Sequence, residues 1–243
     1  MRKPVETAAY AIGLVLIVSG IVHLGVFVAD DVPWAGPVSW RKPATFGLSF
    51  GLTLITVAWV TRWLALGDRA RAWLLGVFAA DCVVEVAGIT VQAWRGAPSH
   101  FNTETTFDRG VAMILAAGGA VLVATLGAYA VTALRGRMRG PADMRLAVRA
   151  GFALMLVSLA SGVAMVARGT VLFRTVSPRA AYEMGGFLKP VHGVALHAVL
   201  VLPLLAAVLL RLGRDDRERL WVVGAAVVAY VVAAVVALAL SFG

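Results

Sequence analysis

Apolar residues run along this chain in long blocks. They show neither the strict alternation of a half-buried strand nor the single apolar stripe of a helix with one wet face. Seven blocks approach the roughly 20 residues that a helix needs to cross a hydrocarbon core of about 30 Å. They are residues 8–29, 44–64, 72–94, 109–134, 150–167, 190–212 and 219–241. The expected fold is therefore all-α, a polytopic seven-transmembrane-helix bundle; the period-two signal of a β-barrel is missing from the sequence. The first block follows Arg2 and Lys3 as a signal peptide would. It is too long for an h-region, and Phe27 spoils the small-residue pattern near Ala29, so it is expected to stay as a helix. No linker, low-complexity tract or whole-unit repeat separates the blocks, and residues 1–243 are expected to form a single domain.

Composition strengthens this picture. The chain is 60% hydrophobic and only 14% charged, against about 25% charged in soluble domains. Too little polar surface remains to face water, so the lipid bilayer is the expected partner. The net charge of +9 would suggest nucleic acid in a soluble protein. Here it is read as topology, with no nucleic acid involved. If the N-terminus is cytoplasmic, 14 of the 22 Lys and Arg residues fall on the cytoplasmic side and 8 on the other. The bias predicts a multi-pass protein of the cytoplasmic (inner) membrane, N-terminus in and C-terminus extracytoplasmic. A lone cysteine, Cys82, excludes an intrachain disulfide and a cysteine-rich metal site.

Ionisable side chains within spans are costly, so each needs a reason. In the third span Asp81, Glu85 and Gln92 share one helical stripe with Gly88, and Arg95 continues it into the interface. A structural network and a proton, ligand or cofactor site both fit. The sixth span opens with Lys189, His192 and His197. Lys189 and His192 share a face, whereas His192 and His197 lie about 140° apart. His23, His100, Trp34, Trp40, Arg41, Lys42, Asn102 and Asp108 join them on the expected outer side. Trp34 and Trp40 also suit an interfacial anchor. Thr45, Ser49, Thr53 and Thr56 line the second span, where Gly47 and Gly51 form a GxxxG spacing that allows close helix approach. The fourth span, with Gly118, Gly119 and Gly127, reads similarly. The seventh reads as Val and Ala and is expected to face lipid.

Three stretches, PVSWRKPATFG, WRGAPSHFNTETTFD and GGFLKPVHGVALHAVLVLP, resemble an uncharacterised family of seven-helix bacterial membrane proteins over about residues 23–203. The resemblance implies the fold and no activity. A narrower set of residues resembles the alkaline ceramidase and adiponectin-receptor hydrolases. Ser19 and His23 give SxxxH, and Asp81 or Asp108 would supply the acid. The late histidines, His192 and His197, are spaced HxxxxH where those families have HxxxH. That resemblance implies zinc. Retinal proteins are set aside because the last span has no Lys.

Three functions fit an outer polar site. The nominal one is a haem b or related redox protein, with His23 and His192 or His197 as axial ligands and Arg41, Arg95 and Lys189 facing the propionates. A second is a metal-dependent hydrolase or transferase on a lipid-linked substrate, with Glu85 or Asp108 as catalytic base. Its cationic residues would hold a small anionic ligand, beside Trp40, Asp81, Gln92, His100 and Asn102. The third is a proton-coupled carrier in which Asp81, Glu85, Gln92 and His197 form a relay, with Pro190 and Pro203 able to kink the sixth span.

Overall fold

The computed structural model describes residues 4–30 and 34–242. Among them lie eight α-helices: α1 (Pro4–Ala29), α2 (Arg41–Val60), α3 (Asp68–Trp94), α4 (Thr106–Arg135), α5 (Ala142–Thr175), α6 (Pro178–Met184), α7 (Lys189–Arg211) and α8 (Asp216–Ala239). A 3-10 turn, Thr61–Trp63, extends α2. The described residues hold no strand, only an isolated bridge between Leu64 and Met138. Seven helices, all but α6, are long and apolar enough to cross a membrane. The chain is an integral membrane protein with seven membrane-spanning-capable helices, as the apolar blocks predict.

One boundary departs from expectation. The fifth block was expected to stop at Arg168, but α5 runs for 34 residues, about 51 Å at 1.5 Å per residue. Only about 20 residues are needed to cross lipid. The apolar block marks the membrane-crossing part, and Arg168 and Arg174 carry a helix that continues beyond it. Short α6 then begins at Pro178, where Ser177 caps the helix by accepting from Ala180 N. Pro190 sits in the first turn of α7, and the helix is continuous through Pro203.

The described residues group into two compact units. The first takes those up to Ala58, with Asp68–Thr125 and Arg168–Gly185. The second takes Trp59–Gly67, Leu126–Ala167 and the described residues from Gly186 onward.

In the first unit, α1 and α2 pack antiparallel through glycines. A Cβ on Gly20 would lie 2.7 Å from Leu48 N, one on Gly47 2.8 Å from Gly20 Cα, and one on Gly51 2.9 Å from Ile17 N. The backbones touch because no side chain stands between them, as the GxxxG spacing allows. α1 and α3 run parallel, pinned near both ends. Arg71 and Glu6 form a 3.0 Å ion pair, and Trp94 Nε1 donates to His23 Nε2 at 3.0 Å.

In the second unit, Arg219 near the start of α8 is buried. It pairs with Asp143 of α5 at 3.1 Å and with Asp216 at 2.7 Å. Ser158 and Ser161 of α5 surround His192 of α7, and Gly151 brings α5 against the backbone of Val199. α8 is the least buried of the seven long helices, consistent with a lipid-facing role.

Candidate functional site

The stripe expected on α3 faces α4. The two helices run antiparallel, with Gly88 against Leu115 and Gln92 and Arg95 against Asp108. About 20 Å from either end of α3 lies Asp81, with Glu85 one turn further along. Asp81 is 7% exposed and Glu85 3%. Both carboxyls close on one point of α4, Gly118. A Cβ there would overlap Glu85 Oε1 and lie 2.9 Å from Asp81 Oδ1. Glycine is what leaves room for the two acids. Asp81 Oδ2 and Glu85 Oε1 are buried without a hydrogen-bond partner, and neither acid forms an ion pair among the described residues. Buried polar groups are nearly always satisfied, and buried charges are paired. This pair is neither.

Further along the stripe the polar groups are fully engaged. Gln92 Nε2 donates to Asp108 Oδ1 at 2.8 Å, and Arg95 pairs with the same oxygen at 3.2 Å. Thr105 Oγ1 donates to Asp108 Oδ2 at 2.6 Å and accepts from Asp108 N at 3.1 Å. That reciprocal arrangement caps the start of α4. Both oxygens of Asp108 therefore already accept bonds, two on Oδ1 and one on Oδ2, which hold its carboxylate in place at the start of α4. Arg95 also covers the ring of Phe107, 4.2 Å from its centroid.

His23 is held from both sides. Its Nδ1 lies 2.7 Å from Ser19 O and must donate there, so Nε2 is the acceptor for Trp94. Trp94 in turn stacks edge-on against Trp40 at 4.9 Å, and Trp40 Nε1 donates to Asp30 at 2.6 Å. With both nitrogens spent, His23 offers no ligand atom for haem or zinc in this arrangement. Arg41 donates through Nε to Trp34 O at 3.2 Å, and Lys42 to Pro37 O at 3.1 Å.

The loop after α3 holds itself together. Gly96, at φ +63°, turns the chain at the helix end. Asn102 Nδ2 donates to Pro98 O at 3.3 Å, and its Oδ1 accepts from Glu104 N at 3.0 Å. His100 bonds Ser99 at 2.9 Å and lies against Phe46. Burial, and then the charge of Lys42, pulls the His100 imidazole from its ordinary 6.5 down to about 4. Phe101 packs over Gly169 and against Phe173 and Tyr182. Burial, with the charge of Glu104, pushes the Tyr182 hydroxyl up.

His192, His197 and Lys189 belong to the second unit. Lys189 is exposed and folds over Gly186. His192 Nδ1 lies 2.9 Å from Ser158 O, with Ser158 and Ser161 Oγ each at 3.2 Å. The hydroxyls donate to backbone carbonyls, so the cluster joins two helices rather than activating a serine. His197 is exposed, with Nδ1 at 2.6 Å from Gly193 O. Among the described residues no three His, Cys, Asp or Glu side chains gather to hold a metal ion. The zinc-hydrolase resemblance therefore finds no ligand cluster here.

Sequence reasoning missed Trp94, Ser158 and Ser161. It named Gly118 only as a packing residue beside Gly119, around which a Cβ would meet nothing, and gave no sign that the two acids close on it. Trp94 was visible as the residue before Arg95. No family model, curated protein or solved structure matches this chain.

Proposed function

We propose that this integral membrane protein binds and releases a proton within the membrane, as a proton-coupled carrier does, and that Asp81 and Glu85 hold that proton. The observation that carries the reading is their shared position against Gly118, buried, with orphaned oxygens and no cation paired to them among the described residues. Two carboxylates crowded in a low-dielectric interior cannot both stay ionised without a counter-charge. One shared proton removes most of the cost and supplies a donor. An intramembrane acid pair that exchanges its proton is the working part of a relay.

The haem reading needs a free nitrogen on His23, and both of its nitrogens are engaged. The hydrolase reading, with Glu85 or Asp108 as base, needs a metal, and no three metal-ligating side chains gather among the described residues.

The test uses the proton alone as probe. Reconstituted protein on a solid-supported membrane is given a pH jump, and the charge displaced by proton binding is recorded. The expected result is a transient in wild type that is lost in Asp81→Asn combined with Glu85→Gln. An equal transient in that double variant, or none in wild type, would overturn the proposal.

A further inference from the structure

The first unit pins α1 to α3 near both ends, and the two pins answer to different chemistry. At one end Arg71 and Glu6 form their 3.0 Å ion pair. At the other, about 25 Å further along α1, Trp94 Nε1 donates to His23 Nε2 at 3.0 Å. An indole N–H can only donate. His23 Nδ1, 2.7 Å from Ser19 O, must donate as well. The bond to Trp94 therefore exists only while Nε2 carries no proton. A proton there sets two donors head to head and breaks the bond.

The surroundings of His23 offer a place for the charge. Trp40 stacks on the imidazole, with ring centroids 6.1 Å apart and planes 29° from parallel, and an aromatic face attracts a cation held over it. Asp30 accepts from Nε1 of the same indole at 2.6 Å, so a carboxylate stands behind that face. The neighbouring cations are engaged elsewhere. Arg41, next to Trp40, donates to Trp34 O, and Arg95, next to Trp94, pairs with Asp108. Asp81 and Glu85 close on Gly118 of α4 instead. Trp94 is the last residue of α3 and is 61% exposed, so its ring can leave His23 without crossing the core.

From this geometry we infer that His23 is a proton-operated latch between α1 and α3. With Nε2 bare, Trp94 is bound and the two helices are closed at that end. With Nε2 protonated, the imidazolium is held by Trp40, the Trp94 ring swings toward the surface, and that end opens while Arg71 and Glu6 hold the other. The net step is one proton taken up and one interhelical hydrogen bond lost. The inference needs only the two bonds of His23 and stands whether or not Asp81 and Glu85 exchange a proton.

The test is a distance measurement by pulsed electron paramagnetic resonance on the full-length protein in liposomes. Spin labels are attached at Gly25→Cys on α1, where an added Cβ meets nothing, and at Val91→Cys on α3, which is exposed. Cys82 is fully buried and is left in place. Lowering the pH from about 8 to about 5, across the range in which histidines change charge, should add a longer-distance population that disappears on return. Trp94→Phe, which keeps an aromatic ring and removes the N–H, should show the longer population at both pH values. His23→Gln, whose amide takes no proton, should give one distribution at both. Asp81→Asn combined with Glu85→Gln should respond like wild type. A wild-type distance that ignores pH would overturn the inference, as would a Trp94→Phe variant that stays closed at high pH or an equal shift in His23→Gln. Loss of the shift in the acid double variant would assign the movement to the acid pair and overturn it too.

Discussion

Gly118 is the residue on which the acid pair most directly depends. A single methyl there would collide with Glu85 Oε1 and crowd Asp81, and overpacking of this kind costs about 1–3 kcal/mol. Gly118→Ala is therefore expected to lower unfolding free energy in mixed micelles by about that amount. Gly119→Ala, whose Cβ meets nothing, should change it little. Two adjacent glycines in an apolar run look alike in sequence; only the partner helix distinguishes them. The stripe of Asp81, Glu85, Gln92 and Arg95 was legible because helical spacing alone sets it. Which members are satisfied was not, since that depends on Asp108 and Thr105 across the gap. His100 gives a pH prediction. Its imidazole is pulled from 6.5 to about 4 in the folded protein, so the unfolded chain binds more protons between those values. Its contribution to stability is present above about pH 6.5 and is lost as pH falls toward 4. Thermal unfolding should show that loss in wild type and a flatter profile in His100→Asn.

The elements are held by two kinds of contact, and they fail differently. α1 and α2 meet backbone to backbone at Gly20, Gly47 and Gly51, where the atom nearest an added Cβ is backbone, so a side chain there meets atoms that cannot move aside. Gly51→Leu should separate the pair and lower the melting temperature, or make the loop between them more readily cleaved by protease. Unchanged behaviour would mean that the close approach contributes little. α3 and α4 are joined through polar groups, and the start of α4 rests on Thr105 and Asp108. Removing a cap costs about 1 kcal/mol, which Thr105→Ala should show by chemical denaturation. The GxxxG signal was readable because small residues at that spacing have few other uses in a span. The extension of α5 beyond Arg168 was not, because hydropathy registers lipid contact and says nothing of helix that continues past it.

At the scale of the whole molecule, seven helices are long and apolar enough to cross a membrane. If all seven cross, the Arg and Lys bias predicts a cytoplasmic N-terminus and a C-terminus on the other side. Reporter fusions at each end should then report opposite compartments, with the C-terminal fusion outside. The seven apolar blocks were plain in the sequence because crossing lipid leaves a chain little freedom in composition. The central claim concerns the buried acids. It is tested most directly by infrared difference spectroscopy of the protein in liposomes, stepped in pH and exchanged into deuterated water. The prediction is a protonated-carboxyl band that titrates, exchanges its hydrogen, and is diminished in Asp81→Asn and in Glu85→Gln. A band that ignores pH and deuterium, or that persists unchanged in both variants, would contradict the account and leave the pair as a fixed structural feature of the α3–α4 contact.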